Sequence, residues 1–367
     1  MAEPLKLVYN EKFLHGFGAK IKSVYDPFDV EHFIAEVIDA SWDELALKER
    51  MRKISETLGR YLPPSYEEKL DVLFAVNDDG SCTGFPYLLL PDFVEVYGQA
   101  DQHWELSMHA LERFTSGSSS EFAIRPFILR DPDRAMRQLA IWAEHPNEHV
   151  RRLASEGCRP RLPWGVALAV FKRDPTPILP ILEKLQADPS LYVRKSVANN
   201  LNDIAKDHPT VVIETAKRWQ GKHPDTDWIV RHACRTLIRK ADPEIMQIFG
   251  YAENASARTT SAEITIEPDV VNIGEKCKLS YALRVQEGEP ARVRIEYGVY
   301  FVKAKGQTSR KLFLLSDKTV PGGSVLNGQR THNWADLTTR KHYPGAHRIV
   351  LVVNGTEVAE TMIDVRA

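Results

Sequence analysis

Three copies of one short string constrain the fold of this chain more than anything else in it. They read Glu148-His149-Val150-Arg151-Arg152-Leu153-Ala154, Leu191-Tyr192-Val193-Arg194-Lys195-Ser196-Val197 and Trp228-Ile229-Val230-Arg231-His232-Ala233-Cys234. Aligned on the Val-Arg pair, the copies are spaced by 43 residues (Val150 to Val193) and by 37 (Val193 to Val230). A period near forty, with one helix ending before the string and another starting on it, marks a solenoid of stacked helix pairs. Each unit has an apolar side that it cannot bury alone. Stacking therefore sets equivalent positions of successive helices side by side on one surface.

That register works as a ruler. Residues four apart share a helix face, so the second, sixth and tenth positions after each Val form one stripe. It reads Arg152, Glu156 and Pro160 in the first copy, with Arg159 closing the last turn; Lys195, Asn199 and Asp203 in the second; His232, Thr236 and Lys240 in the third. The opposite stripe, with Val150, Leu153, Ala154, Val193, Val197, Leu201 and Ile204, is apolar and expected in the core. One surface thus carries bases from all three copies with two acids, Glu156 and Asp203, among them.

Charge is uneven along the chain. Residues 1–117 hold 11 basic and 21 acidic side chains, residues 118–255 hold 21 and 17, and residues 256–367 hold 16 and 12. An acidic first region and two mildly basic later ones would suit an anionic polymer held by the later two. The apolar fraction is 43% and the charged fraction 27%, as in ordinary soluble proteins. No apolar run approaches a membrane span and the N-terminus has no signal-peptide pattern. Cys82, Cys158, Cys234 and Cys277 lie far apart without metal-ligand spacing, which implies reduced thiols in a cytoplasmic protein and no iron–sulfur cluster. Gly16-Phe17-Gly18 is too short for a phosphate loop.

Helical periodicity runs from residue 5 to residue 250, with helices expected at 148–157, 165–172, 175–187, 190–207, 209–220, 226–240 and 243–250 among others, punctuated by Asp-Pro and His-Pro pairs. Residues 253–262 read as a linker. From Glu263 the period becomes two, with strands expected at 263–266, 278–283, 292–297, 311–315, 347–353 and 360–365 and turns such as Asn354-Gly355. The expected architecture is an all-α HEAT-like helical solenoid over 1–254 (an acidic helical cap at 1–117, the repeats at 118–254) followed by an all-β immunoglobulin-like sandwich at 263–367. The Cys–Trp–Cys core of antibody domains is missing.

Glu156 follows Arg152 by four and precedes Arg159 by three, a spacing equally natural for a surface ion-pair network. In a phosphate-binding stripe, however, a carboxylate is repelled by the ligand and needs another reason, such as stabilising a cation. Glu121 fits a capping box with Ser118. Trp164, in Arg159-Pro160-Arg161-Leu162-Pro163-Trp164, could stack on a base or pack beneath the next helix. In the second domain, Lys303, Lys305, Arg310 and Lys311 lie on one basic hairpin loop, and Thr338-Thr339-Arg340-Lys341-His342-Tyr343 forms another; both suit phosphate contact.

Several of these segments together resemble the AlkC-type DNA alkylation repair glycosylases, relatives of the AlkD group built on HEAT-like repeats. They are Asp26-Pro27-Phe28-Asp29 with Phe33, Leu45 to Arg50, His149 to Gly157, Arg159 to Trp164 and Val193 to Asp203, within residues 5–250. The string ending in Trp164 is the most specific; a C-terminal immunoglobulin-like domain occurs in only some members. The resemblance implies hydrolysis of the N-glycosidic bond of cationic N-alkylated bases (3-methyladenine, 3-methylcytosine) in double-stranded DNA, by bending the duplex rather than using an extrusion pocket. It implies a catalytic role for Glu156 first, then Asp203 and Glu121, and a lesion contact at Trp164. Arg152, Arg159, Arg161, Arg194, Lys195, Asn199, His232 and Arg235 would hold DNA, with Lys303, Lys305, Arg310 and Lys311 of the second domain clamping the same duplex. No metal or cofactor is implied, and a monomer is expected. The competing expectation is a HEAT-repeat scaffold that binds DNA or protein and cuts nothing.

Overall fold

The Val-Arg string has a structural cause, visible in a computed structural model that describes residues 4–78, 80–251 and 259–367. Its helices are α1 Glu11–Val24, α2 Val30–Val37, α3 Leu47–Tyr61, α4 Tyr66–Val76, α5 Leu89–Tyr97, α6 Trp104–Thr115, α7 Ile124–Arg130, α8 Pro132–Trp142, α9 Glu148–Gly157, α10 Ala169–Arg173, α11 Leu179–Lys184, α12 Leu191–Ile204, α13 Pro209–Trp219, α14 Pro224–Ala233, α15 Arg235–Arg239 and α16 Pro243–Ile248. The three copies of the string lie on α9, α12 and α14, which pack side by side. Val150, Val193 and Val230 are at most 1% exposed. The following arginine turns back over the loop before its own helix. Arg151 Nη1 donates to the carbonyls of His145 (3.0 Å) and Pro146 (2.8 Å), and Arg194 Nη1 donates to those of Asp188 (2.8 Å) and Pro189 (2.9 Å). An X-Pro turn leaves carbonyls without helical donors, and the arginine supplies them. Arg151 also forks onto Asp188 at 2.6 and 3.1 Å.

Polar side chains tie the stack laterally as well. Ser155 Oγ donates to Ser196 Oγ at 2.7 Å and Asn200 donates to the Ser155 carbonyl at 2.8 Å, all three residues being buried. The Asp-Pro pairs start helices because the aspartate accepts a backbone N–H of the first turn while proline takes the first helical position. Asp131 accepts from Arg134 (3.0 Å) and Asp242 from Ile245 (3.2 Å). The expected helix over 226–240 is two, α14 and α15, parted at Cys234. Residues 159–168, expected to be partly helical, form an irregular loop. The four cysteines are buried and form no disulfide among the described residues. Among those residues no helix is long and apolar enough to cross a membrane.

By contact the chain divides into two compact units, one of residues 1–208 and 221–233 and one of 209–220 and 234–367. The change of periodicity and this division fall at different places, because α13, α15 and α16 group with the strands. Most of the expected linker lies outside the described residues; Thr259 to Ala262 already belong to β1.

The strands are β1 Thr259–Glu267, β2 Val270–Asn272, β3 Lys276–Val285, β4 Ala291–Val302, β5 Thr308–Val320, β6 Val325–Asn333, β7 Gly345–Val353 and β8 Thr356–Arg366. They form a three-stranded sheet, β1-β3-β6, and a five-stranded sheet, β2-β8-β7-β4-β5, antiparallel apart from β2 with β8. Leu279, Leu283, Ile295, Val299, Ile349, Leu351 and Ile363 fill the space between them. The pivot of this core is Trp334, fully buried, whose indole N–H lies 3.2 Å from Cys277 Sγ. His332, His342 and His347 surround its ring with centroids 4.9, 5.5 and 4.8 Å away. Burial, and then the charge of Arg340, push His332 down to about 4; burial is also the main cause lowering His342 and His347.

These two features generate two predictions. Arg151→Met leaves Asp188 buried without its cation and strips two carbonyls of their donor; urea unfolding should register a loss of about 3 kcal/mol. The histidines refuse protons in the fold that they accept when unfolded near the ordinary pKa of 6.5. The unfolded chain therefore binds more protons over that window, and stability falls as pH drops from about 6.5 toward about 4. Thermal unfolding of the full chain should track that fall, with a shallower slope for His347→Phe.

Candidate active site

The first unit carries a row of alternating charges that crosses three elements. Glu121 lies in the turn before α7, Arg152 and Glu156 on α9, Arg159 just beyond it, and Asp203 with Lys206 at the end of α12. Arg152 Nη1 meets Glu121 Oε2 at 2.6 Å and its Nη2 lies 3.6 Å from Glu156 Oε1. Arg159 donates from Nη1 to Glu156 Oε1 at 2.6 Å and from Nε to Asp203 Oδ2 at 2.9 Å. Lys206 ends the row on Asp203 Oδ1 at 2.8 Å. This is not a solvated face: Glu156 is 5% exposed, Arg159 7% and Asp203 2%. Burial works against the charge on Arg152, but Glu121 and Glu156 outweigh it and hold its pKa above the ordinary value. Glu156 and Asp203 do the same for Arg159. Each arginine joins two carboxylates, which satisfies the rule that a buried charge must be paired.

The pairing leaves the carboxylates unequal. Both oxygens of Asp203 are engaged, by Arg159 and by Lys206. Glu156 Oε2 and Glu121 Oε1 accept no hydrogen bond among the described residues, and both side chains line a cleft of about 530 Å³ that Asp203 does not line. Phe85, Leu88, Phe122 and Tyr192 form much of its apolar wall, and Trp164 is also part of its lining. Arg152 and Arg159 also line the cleft, so charges of both signs sit on one side of it against a largely apolar remainder.

The capping expectation for Glu121 is corrected. α7 begins at Ile124, and its N-cap residue Ala123 has no side-chain group to cap with; Ser120 Oγ bonds back to the Leu111 carbonyl at 2.7 Å. The Glu121 side chain instead meets Ser119 Oγ, at 2.8 Å, and Arg152. Gly157 lets α9 approach α7 this closely, since a Cβ there would come 2.7 Å from Ile124 Cγ2.

Trp164 sits in a left-handed turn at φ 63° with its side chain 61% exposed. For a bulky non-glycine residue that conformation costs about 1–3 kcal/mol. The buried Arg125 underlies the loop, its Nε donating to the Val166 carbonyl at 2.6 Å and its Nη1 to those of Gly157 (2.8 Å) and Arg159 (3.0 Å). Burial pushes Arg125 down to about 10.

The other expected contacts do not join the row. Arg194 serves as a loop clamp and also pairs with Asp225 at 3.2 Å. Arg161 forks onto Asp207 at 2.6 and 3.0 Å. Lys195 is exposed and Asn199 half-buried on α12, while His232 stacks on Trp228 with centroids 5.1 Å apart. In the second unit Arg235 opens α15, Lys303 and Lys305 lie exposed in the β4–β5 hairpin, and Arg310 on β5 pairs with Glu357 at 2.7 Å. Lys311 and Arg340 share the ring of Phe313, at 5.5 and 5.9 Å. Tyr192, Phe122, Arg125 and Lys48 were not anticipated. Tyr192 had a signal, as the residue before the second Val-Arg pair; its ring lies 4.7 Å under Arg152. Among the described residues no three His, Cys, Asp or Glu side chains group so as to hold a metal ion.

The row generates its own test. Arg159→Met takes from each of two buried carboxylates one of its two cations and should cost about 3 kcal/mol in urea unfolding. Arg159→Lys should recover only part, because an ammonium lacks the fork that spans two carboxylates.

Comparison with known proteins agrees with this architecture. The family described as "Uncharacterised protein YhaZ, C-terminal Ig-like domain" matches residues 260–367, and the HEAT repeat matches residues 178–208. The chain is 45% identical to the uncharacterized protein YhaZ of Bacillus subtilis (strain 168), over 98% of each chain. It is 38% identical to the alkylpurine DNA glycosylase AlkC of Pseudomonas fluorescens, solved bound to DNA containing an abasic site analogue, with a TM-score of 0.93 over 100% of both chains. A full-length match in sequence and in structure, across helical repeats and sandwich alike, places the chain in the family of AlkC-type DNA alkylation repair glycosylases that carry a C-terminal immunoglobulin-like domain.

Proposed function

We propose that the protein is a monofunctional DNA glycosylase that hydrolyses the N-glycosidic bond of cationic N-alkylated bases, 3-methyladenine and 3-methylcytosine, in duplex DNA. The observation that carries the reading is the half-paired state of Glu156 and Glu121: each lines the cleft beside an arginine that engages one of its oxygens and leaves the other without a hydrogen bond among the described residues. AlkC of Pseudomonas fluorescens, similar over the whole chain, supports the reaction class and DNA as the partner.

Alkylation gives the base a positive charge, so it leaves without prior protonation. As the C1′–N bond breaks, its electron pair neutralises the base and the sugar becomes oxocarbenium-like. A carboxylate oxygen beside C1′ stabilises that cation and takes a proton from the attacking water, as in glycoside hydrolysis. Glu156 is first in this role and Glu121 second. Asp203, with both oxygens engaged, orients Arg159 and through it Glu156. Trp164 contacts the lesion nucleotide, and the exposed Lys195 and the half-buried Asn199 of α12 meet the backbone. The basic loop with Lys303 and Lys305 takes phosphate in the same way.

Chromatography of bases freed from methylated duplex DNA tests this. The wild type should release 3-methyladenine or 3-methylcytosine, and Glu156→Gln should release them about 10²-fold more slowly, the scale of losing one electrostatic stabiliser, with DNA affinity nearly intact. Equal losses of affinity and rate would count against the catalytic role. DNA binding by a wild type that frees no base would leave a scaffold in place of an enzyme.

A further inference from the structure

We propose that Arg125 and Lys48 are positioning residues that brace the Trp164 loop from two sides and so fix where the indole meets its substrate. The inference rests on the glycosylase reading above. Residues 159–168 hold themselves weakly, through the bonds from Gly165 N–H to the Leu162 carbonyl (3.1 Å) and from Leu168 N–H to the Pro160 carbonyl (3.2 Å). Three further carbonyls of this loop are taken by cations from elsewhere. Arg125 of α7 holds those of Arg159 and Val166, and Lys48 of α3 donates to that of Trp164 itself at 3.0 Å. The strained residue is thus gripped at its own carbonyl and two residues beyond.

The grip of Arg125 extends to the carboxylates. The same guanidinium that binds Val166 also binds the Gly157 carbonyl, at the end of the helix that carries Glu156. Because a guanidinium is planar and its donors are fixed in direction, the spacing between the Glu156 helix and the Trp164 turn is set by one rigid group. Lys48 is steadied in turn by the ring of Phe122, 4.5 Å from its Nζ. The indole is exposed and makes no ring contact among the described residues, so its direction follows the backbone rather than side-chain packing. Neither cation hydrogen-bonds to Glu121, Glu156 or Asp203; their hydrogen bonds go to carbonyls of the loop and of the end of α9. Their action on the reaction runs through the loop.

Two readouts on the full chain test the bracing. The first is amide hydrogen exchange at Gly165 and Leu168, which needs no catalysis. Lys48→Met should speed both by about tenfold, the equivalent of one charge-assisted hydrogen bond, and leave α9 and α12 unchanged. Arg125→Lys should do the same more strongly; should it fail to fold, Lys48→Met alone decides. The second is a double-mutant cycle on base release. Lys48→Met should slow release roughly 10- to 100-fold, the scale of a misplaced contact group. It should add nothing on a Trp164→Ala background, and Lys48→Arg should restore the rate. Unchanged loop exchange would overturn the proposal. So would a Lys48→Met effect that persists without Trp164, or a salt dependence of DNA binding reduced by about one counterion, which would make Lys48 a phosphate ligand. A wild type that releases no base sinks the glycosylase reading, while the exchange result still judges the brace.

Discussion

Carboxylates buried within a helical stack must be paired, and the rest of this site follows from how the pairing is done. Arg152 joins the turn before α7 to α9, and Arg159 joins α9 to α12. Each ion pair is therefore also a tie between elements that stack. The cation count is just short of saturating the carboxylates: Asp203 spends both oxygens, while Glu156 and Glu121 each keep one. That difference separates a carboxylate that holds the cluster together from carboxylates with charge left for a ligand.

The same physical problem, polar backbone without a donor, recurs where the chain leaves its helices. Arg151 and Arg194 feed the carbonyls of X-Pro turns, and Arg125 feeds those of the loop after α9. Arginine suits this role because several donors leave one plane in fixed directions. The sandwich solves its own version differently. Trp334 packs against three histidines whose burial disfavours their charged form, with no disulfide among the described residues. Neutral imidazoles fill that space at neutral pH without a buried charge.

Much of this was legible in the residues. Val150, Val193 and Val230 recur because each is buried at the same point of a repeat, and that period set the register that brought Arg152, Glu156 and Asp203 together. The strands with strong alternation were legible too, whereas β6 was not: Val325 to Asn333 is mostly polar with a glycine inside, and it is ordered by pairing with β3. The family resemblance places Arg194 among the DNA contacts; the structure shows its side chain turned back onto its own loop, a direction that sequence does not display. Glu121 read as a cap because Ser118 stands three residues before it, yet the partner that wins, Arg152, is 31 residues away in sequence.

The sequence by itself determined the two periodicities, hence helices followed by strands, and the stripe on which acids and bases alternate. These are local properties, written in side-chain spacing of 3.6 and 2 residues. Only the tertiary structure decided which oxygen of each carboxylate stays unpaired, that Trp164 adopts a left-handed turn, and that Lys48 and Arg125 reach it from α3 and α7. Those outcomes depend on groups 41 and 116 residues apart meeting within hydrogen-bond distance. Pairing at that range is chosen by how the helices stack, and no local pattern encodes it.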